Sequence, residues 1–306
     1  MFADLMAEMP AGERYAAAAR GWLDGVLCEL FPELREGLRT RPLTRVISRY
    51  WDEGPEGEPG QVRGEIEVAM TPGRPRMVVF TEAAWQRFLG SLGKSPVAAS
   101  LAISVVGEDG YLSDGGAEIR VARFEEEPGW VRFTFRASAV FTWRARDIFS
   151  ARVTTLPGPG GGWAGSAELQ DRWANAVRRQ AARIGACAGM MTPRGGGPGL
   201  REVVTYPDWP PEMVVQPPEY VQEVAMLGAG RDMLYRFGWV TVIPPEAAAR
   251  LGGAAGLTGS GAFFEVSELP GGSVWLRATR TVEEFDLSRP AVAAALAPVL
   301  IAATRL

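Results

Sequence analysis

The chain has 306 residues, of which 47% are hydrophobic, and its formal net charge is -4. This composition is typical of a folded protein with a sizeable core, and it argues against a disordered chain or a strongly basic nucleic-acid binder. The sequence contains no histidine, which excludes the usual Ser-His-Asp and Cys-His catalytic groups and histidine-containing zinc or iron sites.

The sequence predicts a cytoplasmic protein without membrane contact. No stretch approaches ~18 consecutive apolar residues, the length that a membrane-spanning helix needs. The first ten residues, MFADLMAEMP, lack the basic and apolar regions of a signal peptide. Cys28 and Cys187 lie on unrelated segments that read as helical, so we expect two buried free thiols in a reducing compartment.

In the first half of the chain, hydrophobic periodicity predicts helices and an antiparallel meander. An acidic turn at 52–60 is expected to join two of the strands, and Thr81 is expected to cap a helix. The predicted elements, in chain order, are a helix at 12–30, strands at 43–51, 61–70 and 76–80, a helix at 81–92, strands at 97–107, 117–124 and 130–137, and a short helix followed by a strand at 140–156.

The run PGPGGGWAG at 157–165 is the predicted domain boundary, because proline and glycine oppose both helices and strand ladders. It separates an N-terminal α+β subdomain, 1–156, from a C-terminal α+β subdomain, 166–306. The second is expected to contain a helix after Ser166, a strand at 237–243, a short helix closing at Gly252 and Gly253, a hairpin and a last helix from Arg289. The expected fold class is therefore α+β, with mixed or antiparallel sheets and packed helices.

No motif predicts a catalytic residue, a cofactor or a metal. The Gly-Lys-Ser at 93–95 follows a predicted helix and lacks the first glycine of a phosphate-binding loop. The glycines at 160–165 lack the βαβ unit of a dinucleotide site. Acidic clusters at 52–58, 125–127 and 283–286 lack the ligand spacing of a calcium loop, which favours exposed turns.

Tryptophans beside loops and the acidic turn are the candidate partner-binding residues. Tryptophan is a frequent interface anchor, and clustered acids speed association with a basic partner. Trp22, Trp85 and Trp173 are instead expected in the core, since they lie on the apolar stripes of predicted helices. The candidate set is Trp51, Asp52, Glu53, Glu56, Glu58, Trp163 and Trp209.

The C-terminal segment from Tyr235 onward contains an aromatic-Gly-Trp strand, a helix closing in Leu-Gly-Gly, a hairpin LPGGSVWL, an acidic-aromatic stretch and a final Pro-Val-Leu. This order resembles bacterial immunity proteins of polymorphic-toxin and type VI secretion systems, in particular the immunity protein 52 family. The N-terminal subdomain matches that family poorly. The resemblance concerns scaffold motifs and carries over no functional residue, but it implies a cytoplasmic protein that binds and silences a toxin.

We therefore expect a non-enzymatic immunity protein that neutralises a cognate bacterial toxin, encoded nearby, by steric occlusion. The expected partner is a protein, with no direct contact to nucleic acid. Two alternatives stay open. The chain would otherwise be a structural or adaptor subunit of a bacterial secretion or defence assembly, or a histidine-free, carboxylate-dependent hydrolase or transferase.

Overall fold

A computed structural model describes residues 2–44, 55–112, 116–124, 129–137, 140–142, 152–154, 167–192, 232–234 and 237–300. The contacts between residues divide the chain into two compact units. The N-terminal unit is Met6–Ile184, and the C-terminal unit combines Met1–Leu5 with Gly185–Leu306. The predicted linker at 157–165 lies outside the described residues.

The chain mixes α-helices with antiparallel strands, which confirms the predicted α+β class. The helices are α1 (Glu13–Leu30), α2 (Pro32–Thr40), α3 (Glu82–Ser91), α4 (Ala167–Ile184), α5 (Pro245–Arg250), α6 (Gly253–Gly259) and α7 (Phe285–Leu296). The strands are β1 (Phe2–Glu8), β2 (Val62–Ala69), β3 (Pro75–Val79), β4 (Ala98–Val105), β5 (Ala117–Arg123), β6 (Trp130–Ala137), β7 (Val140–Thr142), β8 (Arg152–Thr154), β9 (Ala188–Thr192), β10 (Val240–Ile243), β11 (Glu265–Glu268) and β12 (Val274–Arg277). None of the helices within the described ranges is long and apolar enough to cross a membrane.

The N-terminal unit is built on an antiparallel sheet with the strand order β6-β5-β4-β2-β3. The predicted meander is confirmed, because β5 pairs with β4 on one side and with β6 on the other. Along β5, Ile119 and Val121 are buried while Glu118 and Arg120 are exposed. This period of two gives the sheet one apolar face, and α1 packs on it.

Helix α1 covers the sheet because one side of it is apolar at every third or fourth position. The Trp22 ring meets Phe133 edge-on, with 5.8 Å between centroids, and its Nε1 donates to the Thr134 carbonyl oxygen at 3.2 Å. Trp85 and Trp173 are buried as well. The predicted core role of these three tryptophans is therefore confirmed.

Helix α4 packs against α1 although the two helices are far apart in sequence. Gly25 permits the close approach, since a Cβ at that position would lie 2.5 Å from Nε2 of Gln180. Beside this contact, Nη2 of Arg179 lies 2.6 Å from Oε2 of Glu29. Exposed ion pairs contribute little free energy, so the buried stripe of α4 is what holds the two helices together.

The C-terminal unit has a sheet with the order β11-β12-β10-β9-β1, to which β1 contributes its first residues. Strand β12 pairs antiparallel with both β10 and β11, which confirms the predicted hairpin. Pro245 lies in the first turn of α5, and Gly252 and Gly253 take left-handed φ values of 81° and 65°. These positions are as the sequence predicts, because only glycine adopts that backbone readily.

The structure adds one helix to the predicted set and starts another earlier. The helix predicted at 12–30 ends at Leu30 as expected, but a second helix, α2, follows it directly and has Pro32 in its first turn, where the missing N–H costs nothing. The last helix was expected to start near Arg289, whereas α7 starts at Phe285. A capping box between Thr281 and Glu284 opens the 3-10 turn that leads into α7.

Two other local expectations change. The predicted helix after residue 140 is wrong at its start, because Val140–Thr142 forms a strand that pairs antiparallel with Arg152–Thr154. Neither cysteine forms a disulfide, as predicted, but Cys28 is exposed on α1 and Cys187 is half-buried in the bend between α4 and β9, so the expected burial of both thiols and the expected helical position of Cys187 are wrong. Most of the strand predicted at 43–51 lies outside the described residues.

Candidate protein-binding surface

The β2–β3 hairpin forms one edge of the N-terminal sheet. Its strands pair antiparallel, with Glu67 opposite Met77 and Ile66 opposite Val78. The connecting turn is Thr71-Pro72-Gly73-Arg74, closed by a hydrogen bond from the amide of Arg74 to the carbonyl oxygen of Thr71 at 3.2 Å. Proline at the second position and a glycine with φ of 69° at the third are the signature of a type II turn.

The other end of the hairpin is fixed by Phe80, which is buried directly after β3. Its amide donates to the carbonyl oxygen of Gly64 at 2.7 Å. Gly64 has to be small, because a Cβ there would lie 2.6 Å from the Cβ of Phe80 and 2.8 Å from Cδ2 of Leu38. The guanidinium of Arg35 lies 5.6 Å from the Phe80 ring centroid, so the strand end is packed on several sides.

Arg35 also fastens α2 to the first turn of α3. Its two Nη atoms donate to the two carboxylate oxygens of Glu82, both at 2.8 Å. These hydrogen bonds hold the pKa of Glu82 below its usual range. Thr81 caps α3 as predicted, since its hydroxyl oxygen accepts from the amide of Ala84 at 3.1 Å. The hairpin therefore ends in a rigid junction.

Between these fixed ends, β3 is exposed to solvent. Every residue from Pro75 to Val78 is exposed, and Met77 and Val78 keep 47% and 51% of their surface accessible. Met70, directly after β2, is exposed to the same extent as Met77. Three of the five large apolar side chains that are exposed in the described chain thus lie on this one hairpin.

The backbone of β3 offers hydrogen-bonding groups along the same edge. In an antiparallel pair, successive residues point their N–H and C=O alternately toward and away from the neighbouring strand. Since Phe80 bonds to β2, Val78 and Arg76 do so too, whereas Val79, Met77 and Pro75 point away from β2. Among the strands that the structure describes, none follows β3 in the sheet order, so these outward groups face the edge.

The charges at this edge are positive. Arg74 and Arg76 are exposed, and neither takes part in the salt bridges found among the described residues. On β2, by contrast, Arg63 is buried and Glu65 is its partner, with 2.8 Å between Nη2 and Oε1. The edge thus combines apolar side chains, unpaired arginines and free backbone groups.

Of the seven candidates that the sequence predicts for partner binding, Glu56 and Glu58 lie within the described residues. Glu56 is half-buried, and its carboxylate accepts from the amide of Leu112 at 2.6 Å, so it stabilises a neighbouring turn. Glu58 is exposed. The other candidates lie outside the described residues: Trp51, Asp52, Glu53, Trp163 and Trp209.

The sequence reading did not select β3. Its signal, RMVVF, is that of any short buried strand. What makes it a candidate is its place at the end of the strand order, and this place depends on pairing between distant segments. The only local hint is the pair of arginines beside Pro75, since charge and proline are frequent on edge strands.

None of the Cys, Asp and Glu side chains in the described ranges forms a cluster of three that would hold a metal. Hydrogen bonds from Arg39 and Arg35 hold the pKa values of the Glu36 and Glu82 carboxyl groups below their usual range. Raised values occur at Tyr15 and Cys187, where burial raises the pKa to about 12. Such groups stay protonated near neutral pH.

Comparison with known proteins gives one structural similarity. No family model matches the chain, and no curated protein sequence matches it. Among solved structures, the chain is similar to the Pseudomonas aeruginosa T6SS protein PA0821, with 11% sequence identity and a TM-score of 0.48. The match covers 98% of this chain and 72% of that protein. The similarity is therefore a distant one to a protein named for type VI secretion.

Proposed function

We propose that this chain is a non-enzymatic immunity protein that binds a bacterial toxin and neutralises it by steric occlusion, with the β2–β3 hairpin in the contact. The observation that carries the proposal is the exposure of Met70, Met77 and Val78 on one hairpin. Scattered exposed apolar residues are ordinary on a protein surface. A group of them on one element is instead typical of a protein-binding surface.

The geometry suits occlusion because the surface is preformed. The Thr71–Arg74 turn and the packed Phe80 hold β3 at both ends, so little conformational entropy is lost on binding. A standard interface buries roughly 1,200–2,000 Å² in total. The hairpin would supply the central apolar contacts, and neighbouring elements would supply the rest of that area.

The kind of partner comes from the sequence resemblance to immunity proteins from Tyr235 onward. That segment builds the scaffold of the C-terminal unit, namely β10, α5, the β11–β12 hairpin and α7. Two observations thus support the proposal: the sequence resemblance to immunity proteins in the C-terminal unit and the exposed apolar hairpin in the N-terminal unit.

The test is co-expression with the toxin gene that lies next to the gene for this chain. The wild-type chain should restore growth of cells that produce the toxin, and the purified proteins should form a complex of fixed stoichiometry. A matched pair of variants separates a lost surface contact from a loss of folding. Val78→Asp changes the exposed surface of the hairpin, whereas Val68→Thr changes a residue inside β2. If no adjacent toxin becomes tolerable in the presence of the wild-type chain, the proposal is wrong.

A further inference from the structure

We propose that the β3 edge binds an extended, acid-bearing segment of the partner, which adds to the sheet as a further strand beside β3. This inference rests on the proposed function and specifies the mode of contact. An exposed sheet edge is a known site for strand addition, in which backbone hydrogen bonds supply affinity and alternate side chains supply specificity.

The backbone of β3 limits how the added strand pairs. The outward N–H groups belong to Met77 and Val79. The alternate residues Phe80, Val78 and Arg76 bond to β2 instead. The outward carbonyl groups belong to these two residues and to Pro75, which has no N–H to donate. The edge therefore presents a short ladder centred on Met77, enough to pair with a segment of a few residues.

The side chains of β3 specify the chemistry of that segment. Arg76 and Val78 lie on one face of the sheet, and Met77 and Val79 on the other, since neighbouring residues of a strand alternate. Oppositely charged pairs and apolar pairs across two strands are stabilising, whereas like charges oppose pairing. An acid opposite Arg76 and apolar residues opposite Met77 and Val78 therefore fit the edge, and Arg74 attracts a second acid at the turn.

A second copy of this chain fits the same edge less well. Strand β3 contains no acidic residue. A symmetric antiparallel pair centred on Met77 would place Arg76 opposite Val78 of the other copy and would leave both arginines without a partner. Charge complementarity thus favours a different, acidic strand over self-association.

Proline scanning at the edge provides the sharpest test. Met77→Pro removes an N–H that points away from β2, so it removes a bond to an added strand while the ladder to β2 stays complete. Met77→Thr is the matched control, because it shortens the same side chain but keeps the N–H. With the adjacent toxin as the ligand, we expect the Kd to rise by about tenfold or more for Met77→Pro and clearly less for Met77→Thr.

The charge requirement is tested by Arg76→Glu, with Arg172→Glu on the exposed side of α4 as the control for net charge. We expect Arg76→Glu to weaken toxin binding by about tenfold at low salt and by less at high salt, because salt screens exposed charges. Arg172→Glu should bind as the wild type does. Urea unfolding of each variant verifies that it is folded.

Hydrogen exchange measures strand addition directly. In the free chain the amides of Met77 and Val79 should exchange quickly, and that of Val78 slowly. Addition of the toxin should slow the first two. Fast exchange in the complex, or wild-type affinity in folded Met77→Pro, would overturn the added strand and leave the proposed function standing. The added strand is also overturned if the wild-type chain does not bind the toxin, and that result removes the proposed function too. If the chain forms a dimer that Met77→Pro abolishes, the edge binds a second copy of the chain instead.

Discussion

The β2–β3 hairpin of the N-terminal unit and the β11–β12 hairpin of the C-terminal unit are both edge hairpins, but their outer strands differ in cover. Strand β3 is exposed from Pro75 to Val78. Strand β11 is half-buried over most of its length, and α6 packs against it. Edge strands invite pairing with other chains, and proteins usually cover or charge them. This contrast favours β3 over β11 as the edge for a partner.

The same contrast applies to single side chains. Phe264 and Val78 keep 54% and 51% of their surface exposed, yet they differ in what they contact. Phe264 lies 5.3 Å from the guanidinium of Arg277, and the Trp239 ring lies 4.8 Å from that guanidinium. Phe264 therefore covers a buried arginine, which itself donates to the carbonyl oxygens of Thr279 and Arg280. Exposure alone does not identify a binding residue.

The largest expected effect concerns the closed end of the exposed hairpin. Gly64→Val should destabilise the chain by about 3 kcal/mol, because the new side chain would overlap Phe80 and Leu38. Gly73→Ala in the turn should cost only about 1 kcal/mol, since the space there is open and the φ of 69° is the sole penalty. Urea unfolding measures both. Equal losses would mean that the hairpin is not clamped at Phe80.

A second prediction concerns the loss of stability in alkaline solution, to which one residue of each unit is expected to contribute. Burial raises the pKa of Tyr15 and of Cys187 to about 12, so the folded state keeps both protonated where the unfolded chain ionises them. Stability is fully present below the unfolded pKa and is lost as pH rises toward 12. The loss starts at about pH 8.5 for the cysteine and at about pH 10 for the tyrosine, and Tyr15 accounts for roughly 2–3 kcal/mol.

Single variants assign the two parts of this profile. Cys187→Ala should remove the loss that begins at the lower pH, in the C-terminal unit. Tyr15→Phe should flatten the part above about pH 10, in the N-terminal unit. Urea unfolding at a series of pH values measures both, and a Tyr15→Phe profile identical to that of the wild type would contradict the assignment.

The third prediction compares the two half-exposed apolar residues. Phe264→Ala should cost about 1 kcal/mol, because it uncovers the guanidinium of Arg277 and removes a cation–π contact. Val78→Ala should change stability by less than about 0.5 kcal/mol, as is usual at a surface position without a special contact. The free energy of unfolding is the readout. A larger loss at Val78 than at Phe264 would reverse the comparison.

The last prediction concerns the ion pair beside the exposed hairpin. Arg35→Gln should destabilise by about 0.5 kcal/mol, since the partner Glu82 keeps 48% of its side-chain surface exposed and solvent screens the pair. The pKa of Glu82 is lowered in the folded state. Its contribution is therefore present above about pH 4.3 and is lost as pH falls, so the difference between wild type and Arg35→Gln should shrink in acid. A difference that grows in acid would contradict this prediction.

Much of the fold follows from local sequence patterns. Helices α1, α3 and α4 and the strands of the meander follow from apolar periods of 3.6 and 2, which depend only on neighbouring residues. The Thr81 hydroxyl caps its own helix and the Gly252-Gly253 pair takes left-handed backbone angles, and both effects are local, so they too can be read in the sequence. Helix α2 is missed because proline is frequent both just after a helix end and in the first turn of a helix, and Pro32 does both here.

The candidate surface could not be read in this way. The pattern of β3 is apolar, and a short apolar strand predicts burial unless its place in the sheet is known. That place is set by the pairing of β2 with β4, whose residues are brought together only by folding. Acidic loops and loop tryptophans are visible in the sequence, whereas an uncovered edge is visible only once the strand order is known.

The contact between α1 and α4 has a consequence for synthesis of the chain. Glu29 and Arg179, which join the two helices, are separated by 150 positions. At 5–20 residues per second, a ribosome needs roughly 8–30 s to make the segment between them. During that time the side of α1 around Gly25 has no α4 to pack on. The N-terminal unit therefore completes its fold only after α4 has been made, and a chain cut short before residue 167 would leave this helix side open.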